Sequence, residues 1–147
     1  MKISDFLSPS EALVNIRASD KEQLLQELAG MAASKVKLSE EEILSELLKR
    51  ESLGSTGMGN GVAIPHARFQ SIKKPFGLIA RLKQAIEFDA IDGRPVDIVF
   101  VLLLPGSAEG EQLGALACVA RKLQASDDLA QLRRAKNAAE LFAALTA

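Results

Sequence analysis

The only histidine of the chain, His66, follows a segment that is dense in glycine. Four of the ten glycines fall within eight residues, in the sequence Gly54-Ser55-Thr56-Gly57-Met58-Gly59-Asn60-Gly61. Because glycine costs backbone entropy, such density marks tight turns or the close approach of another group. An imidazole with an unperturbed pKa of about 6.5 is largely neutral near pH 7, so a ring nitrogen can attack phosphorus without an added base. The pattern raises the hypothesis of a nucleophilic histidine beside an anion-binding loop.

Several polar groups near His66 in the sequence could hold a phosphoryl group. A phosphohistidine is a dianion that needs donors, and the guanidinium groups of Arg50 and Arg68 match phosphate oxygens bidentately and keep their charge. His66 follows the apolar run Val62 to Ile64 and then Pro65, so its ring is expected at a strand end beside the glycine-rich loop. The candidate phosphate loop consists of Ser55, Thr56, Gly57, Gly59 and Asn60.

The same residues also have simpler interpretations. A lone histidine can be a surface or hydrogen-bonded structural residue, the glycines can form a hairpin, and Arg50 can complement a helix dipole. The glycine spacing matches neither a dinucleotide fingerprint nor a P-loop, so nucleotide binding is not expected. Cys118 lies within an apolar helical pattern, which favours a buried structural thiol over a partner of His66. One histidine and one cysteine are too few for a typical zinc site, so no metal and no cofactor are expected.

The composition fits one globular domain. The 147 residues are 48% apolar and 25% charged, and 18 Lys plus Arg nearly balance 19 Asp plus Glu. This balance gives no global field for nucleic acid or anionic membranes, and the lack of Trp and Tyr removes stacking platforms for single strands. The longest apolar run, Ile98 to Leu104, is too short to span a bilayer, and Met1 to Phe6 shows no secretory signal. We expect a cytoplasmic protein without membrane insertion.

Two helices are expected before the glycine-rich segment. Ser19-Asp20-Lys21-Glu22 has the pattern of a capping box and precedes apolar residues at helical spacing. Ser39 and Glu42 repeat this pattern before a second apolar series, and Gly54 is expected to stop that helix.

Strands and then helices are expected after the glycine-rich segment. Strands are predicted at 62–64, 76–82 and 96–104. The last of these is nearly all apolar, which is typical of a central strand covered on both faces. The carboxyl-terminal third is predicted to be helical, with caps at Ser126 and at Asn137. This order predicts a three-layer α/β domain, with a mixed β-sheet flanked by α-helices on both sides.

The segment Gly54-Ser55-Thr56-Gly57-Met58-Gly59-Asn60-Gly61-Val62-Ala63-Ile64-Pro65-His66-Ala67 resembles the active-site signature of the fructose/mannitol-type enzyme IIA domains of the bacterial phosphoenolpyruvate-dependent phosphotransferase system. An arginine sixteen residues before the histidine, here Arg50, also matches, and length and element order extend the resemblance over the whole chain. The resemblance implies a single enzyme IIA type-2 domain over residues 1–147. It also implies that His66 accepts a phosphoryl group from the phosphocarrier protein HPr, forming a phosphohistidine intermediate that Arg50 helps to hold.

One position departs from the pattern of this family. Many members have a second histidine near the start of the helix that follows the long strand, and here Gln112 occupies that place. A glutamine amide can donate a hydrogen bond to a phosphoryl oxygen, but it carries no charge and cannot take part in proton transfer. Gln112 is a candidate phosphoryl contact or, equally, a solvated residue on a first helical turn.

The resemblance leaves three functions open. A free-standing chain with an Ile-Ser-Asp-Phe-Leu-like start resembles the nitrogen-regulatory branch, in which partner proteins read the phosphorylation state. The second is a sugar-transport enzyme IIA that passes phosphate to a fructose or mannitol enzyme IIB, and the third is a binding module that is not phosphorylated. The expected partners are an HPr-type donor and either regulatory targets or an enzyme IIB. Apolar residues expected in the core, or else in a docking rim, are Met58, Val62, Ile64, Phe69 and Phe76.

Overall fold

A computed structural model describes residues 1–106 and 109–147, without the side chains of residues 109–113. Across these residues the α-helices are α1 (Lys21–Ala33), α2 (Glu40–Ser52), α3 (Glu109–Gln124), α4 (Ser126–Arg134) and α5 (Ala138–Thr146). The β-strands are β1 (Ala12–Ile16), β2 (Gly57–Gly59), β3 (Val62–Ala63), β4 (His66–Phe69), β5 (Phe76–Ile86) and β6 (Val96–Pro105). Short 3-10 turns at Ile3–Asp5 and Pro9–Glu11 precede β1.

The long strand β6 lies at the centre of one mixed sheet, as its continuous apolar run predicts. Antiparallel β5 pairs with one side of β6, and β1 pairs in parallel with the outer side of β5. On the other side of β6, β3 and β4 follow one another, and both run parallel to it. The short strand β2 pairs with β3 at the outer edge. The sheet therefore brings the glycine-rich hairpin and His66 to the same side of β6.

Helices cover both faces of the sheet and confirm the predicted three-layer α/β class. On one face, Val99, Val101 and Leu103 of β6 pack with the buried leucines of α1 and with Ile43 and Leu47 of α2. On the other face, the alternate β6 residues pack against the three carboxyl-terminal helices. The residues of β6 on this second face are Ile98, Phe100, Leu102 and Leu104. Alternation along a strand explains this division between the two cores.

Two helix starts differ from the predicted caps. Asp20, not Ser19, is the N-cap of α1, because its carboxylate accepts from the backbone N–H of Gln23 at 2.8 Å. Ser126 is not a cap but the first residue of α4, where the flanking Ala125 has no capping side chain. In both places an adjacent polar residue suits the first turn as well as the cap, so spacing alone selects the wrong residue. The predicted caps at Ser39 and Asn137 are confirmed.

Three strands escape the sequence pattern. The strand β1 contains Asn15 at φ 58°, which interrupts its apolar run, and β2 is Gly-Met-Gly, which has little strand propensity. The strand β4 begins at His66 itself, so the histidine opens a strand instead of following one. Within the described ranges, no helix combines the length and apolar character needed to cross a membrane.

The two-residue turn between β2 and β3 requires glycine at position 61. Asn60 and Gly61 have φ values of 57° and 80°, and a hairpin turn with two positive φ values favours Asn-Gly. A methyl group on Gly61 would lie 2.5 Å from Arg133 Nη2 and 2.8 Å from Asp97 Oδ1. Arg133 and Asp97 form an ion pair at 2.9 Å, and Arg133 also donates to the Asn60 carbonyl. This ion pair anchors the hairpin to α4 and β6.

The substitution Gly61→Ala should lower the free energy of unfolding by about 2 kcal/mol, since it adds to a strained φ the displacement of the Arg133 and Asp97 side-chain ends from their ion pair. The matched control is Gly93→Ala, where φ is 72° and nothing lies within 4 Å of an added methyl group. That control should cost only about 1 kcal/mol, from backbone strain. Urea unfolding of the two variants measures both values, and equal losses would contradict the packing role of Gly61.

Candidate functional site

His66 is held by its backbone on one side and by a ring hydrogen bond on the other. As the first residue of β4 it pairs with Leu102 of β6, and the preceding Pro65 carbonyl accepts from the Leu102 N–H at 2.9 Å. The ring Nδ1 lies 2.8 Å from the Ile64 carbonyl oxygen. Because a carbonyl can only accept, Nδ1 carries the proton, and in the neutral ring Nε2 keeps its lone pair. Nε2 is therefore the ring nitrogen whose lone pair is available.

The pKa of His66 lies below its ordinary value of 6.5, chiefly because the ring is desolvated by burial. The hydrogen bond to the Ile64 carbonyl opposes this by raising the pKa, the charge of Arg50 lowers it further, and the charge of Glu51 raises it. The net effect favours the neutral imidazole near pH 7, which is the form that can attack an electrophile.

Arg50 and His66 line two neighbouring cavities. The larger cavity, of about 470 Å³, also includes Lys49, Leu53 and the exposed Arg68. The smaller cavity, of about 240 Å³, adds the start of the glycine-rich loop, and Leu116 lines both cavities. In the described structure the Arg50 guanidinium donates to the Gly54 carbonyl through Nη1 at 2.7 Å. This places an arginine charge beside the only imidazole of the chain.

The predicted phosphate loop divides into two parts. Ser55, Thr56 and Gly57 line the smaller cavity together with His66. Gly59 and Asn60 are not among the described residues that line either cavity at His66. Gly59 is the last residue of β2, and Asn60 is the first residue of the hairpin turn, where its N–H donates to an Asp92 oxygen.

The two loop hydroxyls already have structural partners. Ser55 donates through Oγ to the Phe88 carbonyl at 2.6 Å and accepts from the Gly57 N–H at 3.0 Å. The Thr56 hydroxyl donates to the buried carboxylate of Glu51. These hydroxyls fix the path of the loop, and the N–H groups of Thr56 and Gly57 are also bonded within it, so Arg50 is the donor in the smaller cavity best suited to an incoming anion.

The remaining sequence candidates are placed as follows. The side chain of Gln112 lies outside the described residues. Cys118 is half-buried and its Sγ lies 3.5 Å from the Met1 carbonyl, outside both His66 cavities. The apolar neighbours of His66 are mainly core, since Val62, Ile64 and Phe69 are buried. The other two, Met58 and Phe76, are half-buried. Among the described residues, no cluster of His, Cys, Asp and Glu could hold a metal ion.

Sequence reasoning missed the ion pair behind the site. The Glu51 carboxylate is 2.9 Å from Lys21 Nζ at the start of α1, and the Glu51 side chain is only 5% exposed. An acidic residue in the last turn of a helix opposes the helix dipole, and that mismatch is a signal that Glu51 needs another partner. The sequence does not show which lysine supplies it, because Lys21 is thirty residues away. Leu116 of α3 is likewise placed at the site only by tertiary packing.

Comparison with known proteins agrees with this architecture. Residues 5–147 match the model of the family described as "Phosphoenolpyruvate-dependent sugar phosphotransferase system, EIIA 2". A nitrogen regulatory protein of Bradyrhizobium diazoefficiens is 42% identical over 145 residues, which cover 99% of this chain and 95% of the relative. One of Pseudomonas aeruginosa is 37% identical over 143 residues, covering 97% and 93%. The crystal structure of nitrogen regulatory protein IIA-Ntr from Neisseria meningitidis is similar with a TM-score of 0.93 and 35% identity, over 98% of this chain and 99% of that chain.

The position of Arg50 predicts how the pKa of His66 responds to substitution. Arg50→Gln should raise this pKa, because the arginine charge disfavours the protonated ring. Titration of the His66 ring signals by NMR measures the change, and the wild-type pKa should lie below 6.5. Arg134→Gln is the matched control, since Arg134 is exposed on α4 and lines neither His66 cavity. An Arg50 variant with an unchanged titration would contradict the proximity of the two charges.

Proposed function

Because the chain belongs to the phosphoenolpyruvate-dependent sugar phosphotransferase system EIIA 2 family, we propose that His66 accepts a phosphoryl group and that the phosphorylation state regulates partner proteins. The observation that carries this proposal is the hydrogen bond from His66 Nδ1 to the Ile64 carbonyl. It leaves Nε2 unprotonated, on a half-buried ring that shares two cavities with Arg50. The chain is thus proposed as a phosphotransferase component that carries phosphate, more than as a stand-alone catalyst.

The proposed step transfers a phosphoryl group between two imidazoles. The donor is a phosphohistidine of an HPr-type protein. The Nε2 lone pair of His66 attacks the phosphorus, and the new N–P bond forms as the donor N–P bond breaks. The bonding electron pair stays on the donor ring nitrogen, and the donor leaves as a neutral imidazole because its other ring nitrogen carries a proton. The positive ring charge thereby passes to His66, which keeps its Nδ1 proton on the Ile64 carbonyl, and no proton needs to leave His66 beforehand because Nε2 carries none. The lowered pKa of His66 keeps this reactive form populated near pH 7.

The product would be stabilised by positive charge and by donors at the mouth of the site. Arg50 would exchange its bond with the Gly54 carbonyl for a bidentate contact with phosphoryl oxygens. Arg68, exposed in the larger cavity, is a second cation within the same lining. We further propose the Gln112 amide as an uncharged donor, on the sequence alone. The N–H groups of Thr56 and Gly57 already donate to Glu51 and to Ser55, so in this proposal the loop shapes the wall of the site and does not supply donors.

A regulatory role is favoured over sugar transport by the relatives of this chain. The two relatives compared above are named nitrogen regulatory proteins and match over nearly their whole length. Phosphorylation would add roughly two negative charges beside Arg50, and a partner that binds one charge state better would then read the state. The alternative function is that of an enzyme IIA that passes phosphate to a fructose or mannitol enzyme IIB. This alternative is kept because the family that the chain belongs to is described as part of a sugar phosphotransferase system.

Phosphorylation of His66 is tested by incubating the protein with phosphoenolpyruvate, enzyme I and HPr. The wild type should acquire an acid-labile, alkali-stable phosphate, and His66→Ala should acquire none. Arg50→Gln should be labelled at least tenfold more slowly, since a charge-assisted contact to the phosphoryl group is lost. An unlabelled wild type would favour a binding module that is not phosphorylated. Equal labelling of wild type and His66→Ala would show that the acceptor is another residue.

Transfer to an enzyme IIB separates the two carrier functions. The phosphorylated protein, freed of HPr, is mixed with a fructose or mannitol enzyme IIB, and loss of label from His66 is followed over time. A sugar enzyme IIA that is cognate to this enzyme IIB is measured in parallel. If the protein is a regulator, it should keep its phosphate during the time in which the cognate enzyme IIA transfers its own phosphate many times. Rapid transfer at the rate of the cognate enzyme IIA would overturn the regulatory proposal.

A further inference from the structure

A buried ion pair lies directly behind the proposed acceptor site. The side chain of Glu51 is 5% exposed and that of Lys21 is 19% exposed, with Glu51 Oε1 2.9 Å from Lys21 Nζ. The same oxygen accepts from the Thr56 N–H at 3.1 Å, and the other oxygen accepts from the Thr56 hydroxyl. Lys21 Nζ also lies 4.7 Å from the centre of the Phe88 ring. A carboxylate with this many partners is fixed in position, since an unpaired buried charge is strongly unfavourable.

The contacts of Glu51 continue to His66 through the backbone. Glu51 binds Thr56, and the Thr56 carbonyl accepts from the Ile64 N–H at 3.1 Å. The Ile64 carbonyl in turn accepts from His66 Nδ1 at 2.8 Å. The residue that fixes the tautomer of His66 is therefore bonded to the residue that Glu51 holds. Glu51 also follows Arg50 in α2, so one turn of helix positions both the arginine and the loop.

The negative charge of Glu51 is unfavourable for the proposed reaction at His66, and Lys21 compensates it. A carboxylate near His66 favours the protonated ring, and it would repel a phosphoryl dianion formed on that ring. Lys21 is the first residue of α1 and supplies a compensating positive charge. The Glu51 carboxylate can then bind Thr56 without favouring protonation of His66 or repelling a phosphoryl group on it.

Resting on the proposed phosphoryl transfer, we propose that Lys21 and Glu51 are a positioning pair for it. Glu51 holds the loop that orients His66, and Lys21 neutralises Glu51 so that the phosphoryl dianion is not repelled. Neither side chain is required to touch the phosphoryl group. The proposal makes a distinctive prediction, namely that loss of Lys21 is harmful chiefly because the Glu51 charge remains.

The test compares Lys21→Met, Glu51→Gln and the double variant for the rate of phosphorylation by HPr and for the pKa of His66 by NMR. Lys21→Met should slow phosphorylation on the order of tenfold and raise the His66 pKa, because the carboxylate is left uncompensated. Glu51→Gln should lower that pKa. In the double variant most of the rate should return, since the glutamine oxygen can still accept from Thr56 while the repulsive charge is gone. Lys21→Arg, which keeps the charge, should stay within about threefold of wild type.

The matched control is Lys122→Met, because Lys122 pairs with Asp128 at 3.2 Å and its side chain is 18% exposed, close to that of Lys21. This control should change neither the rate nor the pKa. Thermal unfolding identifies any variant that is not folded at the assay temperature. If Lys21→Met is such a variant, the double variant still tests the proposal, because it leaves no unpaired buried charge; Asp89, which also lies 3.9 Å from Lys21 Nζ, is exposed to solvent. A folded Lys21→Met with wild-type rate and pKa, or a double variant as slow as Lys21→Met, would overturn the proposal. An unlabelled wild type would instead refute the proposed function, and the pKa values would still decide whether the pair acts on His66.

Discussion

The burial of β6 on both faces is the constraint on which the rest of the structure depends. Every residue of this strand except Asp97 is buried, and each face carries its own core. Covering a large aliphatic side chain contributes roughly 1.5–3 kcal/mol, so the strand as a whole outweighs any single polar contact in the molecule. The pairing of β3 and β4 with this strand fixes the position of His66. Val62 pairs with Ile98 and His66 with Leu102, so the register is unchanged across Pro65 and the position of Ile64 between them is fixed.

Polar interactions in this fold select geometry more than they add stability. A buried ion pair roughly offsets its own desolvation, so the contact between Lys21 and Glu51 is poorly explained as a source of stability alone. What it does is join the start of α1, the end of α2 and the loop at Thr56. Arg133 acts similarly at the other end of the hairpin, where it binds Asp97 and the Asn60 carbonyl. The glycine-rich segment is thus held at one end by Glu51, which pairs with the distant Lys21, and at the other end by the distant Arg133.

The sequence predicts the parts of the fold that rest on local or periodic signals. The central strand, the two amino-terminal helices and the caps at Ser39 and Asn137 follow from apolar spacing and capping chemistry. The strand β2 does not, because Gly-Met-Gly becomes a strand only when β3 offers it hydrogen bonds. The strand β4 is a different failure. The sequence does contain its alternation of apolar and charged residues, with Ala67 and Phe69 buried and Arg68 exposed, but the proline directly before His66 favours the prediction that a strand ends there.

At the site, too, residues with a local sequence signal could be predicted, whereas residues placed there by tertiary packing could not. His66 and Arg50 stand out by residue type and motif, and the structure places them at shared cavities. The loop residues could not be sorted from sequence, because Gly57 and Gly59 look alike until the hairpin turns Gly59 away from the cavity. Glu51 carried a local signal, an acid at the negative end of a helix, but its partner Lys21 is visible only in three dimensions.

The two chemical states of the site make the sign of nearby charges decisive. Before transfer the ring must be neutral, and after transfer it must carry a dianion. A positive charge helps in both states, because it disfavours protonation and attracts the product, whereas a negative charge harms both. Two unit charges about 4 Å apart interact by about 4 kcal/mol at an effective dielectric of 20, and a dianion roughly doubles that figure. Arg50 therefore needs no compensation, but Glu51 is compatible with the proposed chemistry only while Lys21 remains paired with it.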